Sequence, residues 1–126
     1  MLKKTLVIGA SLKPERYSNI AINRLTDNNI EVIAIGLREG NVAGIDIIKV
    51  TELSDKMLKF KDIHTVTLYL NAKRQEEYYN YIISLNPKRV LFNPGTENEV
   101  FYKLLNKNNI EFEVACTLVL LQMSVY

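Results

Sequence analysis

The chain has 126 residues, 48% hydrophobic and 24% charged, which suits one compact globular domain and argues against general disorder or a second domain. Sixteen basic against 14 acidic residues leave a formal charge of +2, so composition gives no support to nucleic acid as a partner. Cys116 is the one cysteine and His64 the one histidine, which excludes an intrachain disulfide and leaves no metal site expected.

Thr5 to Ile8 forms the first apolar run, directly after Met1-Leu2-Lys3-Lys4. It is too short for a signal-peptide core or a membrane span, so no membrane association is expected. An unpaired thiol adds to this, and the expected location is cytoplasmic. The run reads as a strand over Lys4 to Ile8, followed by the turn Gly9-Ala10-Ser11. Pro14 argues against a helix starting at Ser11, so the loop extends to Tyr17 or Ser18. Ser18 is the expected N-cap of a helix whose sheet side carries Ile20, Ala21, Leu25 and the stem of Arg24; Asp27-Asn28-Asn29 stops it.

Ile30 to Ile35 is the second strand, with Gly36 at its carboxyl end. Gly40 and Gly44 punctuate a polar excursion around a short strand at Ile45 to Val50, and Thr51 is placed to cap a helix through Met57. His64 to Leu70 reads as a strand, and Asn71 as the cap of a helix with Tyr78, Tyr81, Ile82 and Leu85 on its apolar side, ended by Asn86-Pro87. Lys88 to Phe92 is a further strand, closed by the turn Asn93-Pro94-Gly95. Thr96 and Glu99 have the spacing of a capping box, predicting a helix over Glu97 to Asn106 that buries Val100, Phe101, Leu104 and Leu105. Glu111 to Ala115 is the last strand. Thr117 to Met123 reads as a short helix or as its continuation.

Repeated strand, helix, strand order predicts right-handed crossovers and an α/β three-layer sandwich, with a mostly parallel sheet of five or six strands in a single domain. In such sheets ligands sit beyond the carboxyl ends of the strands, where five segments converge: Gly9 to Asn19, Ile35 to Arg38, Tyr69 to Arg74, Asn93 to Asn98, and Cys116-Thr117. The first has a logic for phosphate. Gly9 lets a ligand approach the backbone, Ser11 offers a hydroxyl, the helix start offers unpaired N–H groups, and Arg16 offers a charge. A plain βα connection with Arg16 exposed explains the local pattern equally well. The loop matches neither G-x-G-x-x-G nor G-x-x-x-x-G-K-[ST], so nicotinamide enzymes and P-loop hydrolases find no support. Gly36-Leu37-Arg38 presents an open turn and a cation where an acidic ribose ligand is usual, which suits a phosphorylated ribose, although a solvated arginine explains it too.

Gly9-Ala10-Ser11, the segment Pro14-Glu15-Arg16-Tyr17-Ser18-Asn19, the turn Asn93-Pro94-Gly95-Thr96-Glu97-Asn98 and Ala115-Cys116-Thr117 together resemble the small CoA-binding domain proteins over nearly the whole chain. The resemblance implies a Rossmann-like fold, similar to the CoA-binding part of acyl-CoA synthetase subunits, with coenzyme A or an acyl-CoA as the ligand. It places Gly9, Ala10, Ser11, Arg16, Tyr17, Ser18 and Asn19 around the phosphates and Gly36 and Arg38 near the adenosine. Tyr69, Leu70, Asn93, Pro94, Gly95 and Thr96 would form the facing wall. The expected function is a CoA-binding module of regulatory or carrier type, without an assigned catalytic residue.

Two alternatives stand beside it. Cys116, added to the wall, offers CoA-linked thiol–disulfide or acyl-transfer chemistry, against a structural reading as a packed thiol beside Leu118 to Leu121. A protein-interaction module that senses CoA would use Tyr78, Tyr79 and Tyr81 as its contact surface. The same tyrosines read equally as core, and a homodimer is compatible with the sequence without any symmetry argument for it. His64 falls at the far end of its strand, away from the ligand edge, and no acid–base pair is formed from it.

Overall fold

The computed structural model describes residues 2–49 and 60–126; the helix expected from Thr51 to Met57 and the end of the strand at Val50 lie outside them. The strands are β1 (Thr5–Ala10), β2 (Val32–Gly36), β3 (Gly40–Val42), β4 (Ile45–Lys49), β5 (Thr65–Leu68), β6 (Arg89–Phe92) and β7 (Glu111–Val114). Between them run α1 (Tyr17–Asp27), α2 (Ala72–Gln75), a 3-10 turn at Glu76–Tyr78, α3 (Tyr79–Leu85), α4 (Glu99–Lys107) and α5 (Thr117–Gln122). They build a seven-stranded sheet in the order β3-β4-β2-β1-β5-β6-β7. Every neighbouring pair is parallel except β3 and β4.

Side chains alternate across β1 and so feed two cores. Leu6 and Ile8 join Ile35, Val66, Leu68, Val90 and Phe92 beneath Tyr78, Ile82, Phe101 and Leu105. Val7 joins Ala34, Val42 and Ile47 beneath Ile22 and Leu25, with Leu121 of α5 packed alongside. This is the expected three-layer, Rossmann-like α/β arrangement. The sheet exceeds the expected five or six strands because Gly40–Val42, read as polar punctuation, turns back onto β4. Ala43 and Gly44 both have positive φ, 53° and 83°, the geometry of a tight hairpin whose twist matches its strands.

Several local expectations are corrected. Arg16, not Ser18, is the N-cap of α1, because Ser18 and Asn19 turn inward and are buried. Ile22 takes the core position expected for the exposed Arg24. Asn98 rather than Thr96 caps α4, accepting the Phe101 N–H on its side chain at 3.2 Å, while the Thr96 hydroxyl donates to the Asn93 carbonyl at 2.7 Å. The helix therefore starts later and leaves Val100 63% exposed. The single helix expected after Asn71 is broken by the 3-10 turn, although Asn71 does cap it, accepting the Arg74 N–H at 3.0 Å.

Candidate functional site

Parallel strands end together, so β1, β2, β5, β6 and β7 deliver all five expected segments to one edge of the sheet. Strand order reverses direction of travel between β1 and β5: the chain leaves β1 to cover one face with α1 and leaves β5 to cover the other with α2 and α3. Such a switch point is where open α/β sheets form their ligand crevice. Its floor is the contact of Gly9 with Tyr69 and Leu70. Gly9 has φ of 95°, and a Cβ on it would lie 3.0 Å from the Tyr69 carbonyl carbon and oxygen and 3.1 Å from Leu70 Cδ2.

On one side of the crevice stands the β1 to α1 loop. Ala10 is half-buried and pairs with Gly36 across a register shift in the ladder. A Cβ at Gly36 would sit 2.4 Å from the Ala10 carbonyl oxygen, so Gly36 is buried beneath the loop and the open turn begins only at the exposed Leu37 and Arg38. The Ser11 hydroxyl accepts the Lys13 N–H at 3.1 Å, and Asn19 Nδ2 donates to the Ser11 carbonyl at 2.8 Å, tying the loop to the first turn of α1. Leu12 docks on the edge hairpin, where a Cβ at Gly40 would come within 2.4 Å of its methyl group.

Arg16 and Tyr17 point outward, Tyr17 71% exposed. Among the described residues no side chain caps α1, and no acidic residue stands in its first turn. The leading N–H groups, which have no partner inside a helix, and the positive end of its dipole therefore remain available to an anion, with Lys13 and Arg16 exposed beside them.

The facing wall is built by β5 and β6. Asn93 is 2% exposed and fully committed. Its Nδ2 donates to Thr67 Oγ1 at 2.7 Å and to the Leu68 carbonyl at 2.9 Å, and its Oδ1 accepts the Thr117 N–H at 2.8 Å. It braces the wall from behind. Pro94 and Gly95 are exposed at the rim, and Gly95, at φ 91°, has open space where a side chain would begin. Thr96 is buried. Tyr69 and Leu70 are half-buried. Among the described residues the buried Tyr69 hydroxyl has no hydrogen-bond partner of its own; it lies beside the Thr67 and Thr117 hydroxyls, which bond each other at 2.8 Å. Burial pushes its pKa up to about 12, against the tempering effect of those two hydroxyls. Cys116 is half-buried at the start of α5, a free thiol at the β7 end of the same edge.

Of the three tyrosines offered as a contact surface, Tyr78 is core and Tyr79 and Tyr81 are half-buried. Tyr78 is 4% exposed, Tyr79 stacks on Phe101 with ring centroids 4.5 Å apart, and the Tyr81 hydroxyl is buried without a partner. His64 lies at the opposite end of β5, sharing a hydrogen bond with Thr65 Oγ1 at 2.8 Å; burial, then the charges of Arg89, Lys3 and Lys88, hold its pKa below the usual 6.5. Two open clefts at that end, of 380 and 510 Å³, are bordered by Lys3, Lys4 and Glu31 and by His64, Arg89 and Glu113. Their opposite charges answer one another, with Lys4 3.6 Å from Glu31 and Arg89 3.4 Å from Glu113, whereas the cations of the β1 loop have no such partners among the described residues.

Sequence reasoning missed Thr67 and Gln75, and took Asn98 only as the end of the Asn93 turn; the three hold the wall together. Thr67 has the alternating signature of a strand and Asn98 that of a helix cap; nothing in the sequence marks Gln75 as buried. Among the described residues no helix is long and apolar enough to cross a membrane.

The family model for the CoA binding domain matches residues 3–122, and the chain belongs to that family. The crystal structure of an uncharacterized protein is 42% identical and superposes with a TM-score of 0.91, covering 100% of this chain and 99% of that one. A hypothetical protein from Pyrococcus horikoshii OT3 is 25% identical with a TM-score of 0.79, over 98% of this chain and 84% of that one. A Thermus thermophilus protein of 16% identity, TM-score 0.80, covers 98% of this chain and 91% of that one and agrees in fold. No curated protein matches the chain.

Proposed function

We propose that this member of the CoA binding domain family binds coenzyme A or an acyl-CoA in the crevice between β1 and β5, as a non-catalytic regulatory or carrier module. The observation that carries the reading is the N-terminus of α1, with no side-chain cap among the described residues and no acidic residue in its first turn, standing beside the Gly9 floor with Lys13 and Arg16 exposed at its mouth. That donor set fits a pyrophosphate: backbone N–H groups and cations, with no carboxylate in the first turn to repel it. Gly9, Ala10, Ser11 and the Arg16 to Asn19 turn hold the phosphates. Arg38 meets the phosphorylated ribose, and Gly36 acts from below by seating Ala10. Tyr69, Leu70, Pro94 and Gly95 form the facing wall, braced by Asn93 and Thr96. The cytoplasm is the proposed setting, in keeping with the free Cys116 thiol.

Calorimetric titration of ligand-free protein with CoA, dephospho-CoA, NAD and ATP tests this. CoA binds most tightly, and dephospho-CoA loses affinity through Arg38. Absence of saturable CoA binding would reject the reading.

A second reading follows from Cys116 being half-buried rather than sealed. As a thiolate it would attack one sulfur of CoA disulfide, forming a protein–CoA mixed disulfide and releasing the other CoA as a thiolate that takes up a proton. Intact mass of the folded protein after exposure to CoA disulfide reports the adduct, and Cys116→Ser removes it.

A further inference from the structure

Parallel pairing between β5 and β6 ends at Leu68 and Phe92, yet the two chains continue side by side into the ligand edge. Beyond that point side chains replace the backbone ladder. Asn93 reaches back to the Leu68 carbonyl at 2.9 Å, and two residues further out, at Leu70, Gln75 takes over. Gln75 is 0% exposed, and its single amide nitrogen donates to the Leu70 carbonyl at 2.8 Å and to the Thr96 carbonyl at 2.7 Å. Its Oε1 accepts from Asn98 Nδ2 at 2.8 Å, and the same Asn98 nitrogen approaches the Tyr79 hydroxyl at 2.8 Å.

We infer that Gln75 is a positioning residue for the crevice: one buried amide sets the separation of the Tyr69–Leu70 and Asn93–Thr96 segments, and so the shape of the wall that faces the β1 loop. The inference rests on the CoA-binding reading for its ligand.

The chemistry of the residue explains its place. Only a primary amide carries two donors on one nitrogen and an acceptor beside them, which matches two carbonyls and one incoming N–H. A glutamate brings lone pairs against both carbonyls, and a leucine leaves two buried carbonyls unpaired. Both carbonyls belong to irregular backbone outside the sheet ladder. Leu70 also presses on the Gly9 floor, so a shift of its backbone moves the floor as well as the wall.

Gln75→Glu and Asn98→Asp test it together. Asn98→Asp keeps an oxygen to cap α4 and replaces the nitrogen that orients Gln75, and that also reaches the Tyr79 hydroxyl and the Ala72 carbonyl, with an oxygen facing Gln75 Oε1. With folding verified by near-ultraviolet circular dichroism, Gln75→Glu weakens CoA binding about tenfold and Asn98→Asp weakens it less. In the free proteins, amide hydrogen exchange speeds up at 69–72, 93 and 95–97 and not at Thr5–Ile8 or in α4, a local signature that general destabilisation would not produce. Folded variants with unchanged affinity and unchanged exchange at these loops would overturn the inference. Should Gln75→Glu fail to fold, Asn98→Asp decides by the same two readouts. Should wild-type protein not bind CoA, the binding reading falls and the exchange result alone decides: local acceleration supports the positioning role, and its absence rejects it.

Discussion

Gly9 and Tyr69 meet backbone to backbone: a Cβ on Gly9 would stand 3.0 Å from both the carbonyl carbon and oxygen of Tyr69, with no side-chain end to yield. Gly9 also holds φ of 95°, a region that side chains disfavour. Gly9→Ala therefore combines backbone strain with a contact that only movement of the Tyr69 segment relieves. It should destabilise the fold by about 2 kcal/mol, read as a lowered Tm, and abolish CoA binding in the protein that remains folded.

Leu12 and Gly40 make a second such pair, but here the obstacle is a side chain. Gly40→Ala pushes against a leucine methyl 2.4 Å away and displaces the β1 loop from the edge hairpin. CoA binding should weaken several-fold, about 1 kcal/mol. Leu12→Ala in the same protein removes the collision, so a double-mutant cycle by calorimetry should show positive coupling; simple additivity would separate the hairpin from the loop.

Asn93 has its amide hydrogens and its oxygen committed inside the protein. Asn93→Ala strands the Thr117 N–H and the Leu68 carbonyl, and should cost about 3 kcal/mol in urea unfolding. A cost near zero would mean that the Asn93 turn is held by its backbone alone.

Tyr69, Tyr78 and Tyr81 each have a pKa pushed up to about 12 from 10, burial being the first cause in every case. The unfolded chain releases these protons first as pH rises, so the stability they contribute is complete below about pH 10 and is lost progressively toward pH 12. Alkaline unfolding followed by tyrosinate absorbance should show these residues titrating with the loss of structure rather than before it. Because the Tyr69 hydroxyl has no well-formed hydrogen bond among the described residues, only the Thr67 and Thr117 hydroxyls beside it, Tyr69→Phe should leave stability at neutral pH nearly unchanged and should shift the alkaline transition upward.

The layered architecture could be read from the sequence because each parallel strand is a short apolar run between helices with periodic faces, as at Thr5 to Ile8 and Lys88 to Phe92. The edge to which the loops converge followed from that order alone. What escaped was tertiary. Gly40 looks like a loop residue until β4 is beside it, and Val100 looks apolar and inward until Asn98 starts the helix two residues later than Thr96 would. Ser18 and Asn19 carry the residue types of a cap, yet burial against the sheet took them from that role and left α1 uncapped. Gln75 sits in a run of charged and polar residues, and only the meeting of two loops above it makes it core.

Coenzyme A seated at the β1 and β5 loops is both a ligand and a place, and assigned two-dimensional NMR spectra recorded during CoA titration test both at once. CoA should shift the amide resonances of 9–13, 15–19, 37–38, 69–72, 95–96 and 116–117 along one saturable curve, with Tyr17, Ser18 and Asn19 moving most as their free N–H groups engage the phosphates. Shifts confined to the opposite end, around Lys3, Lys4 and Arg89, or no shift at saturating CoA, would contradict it.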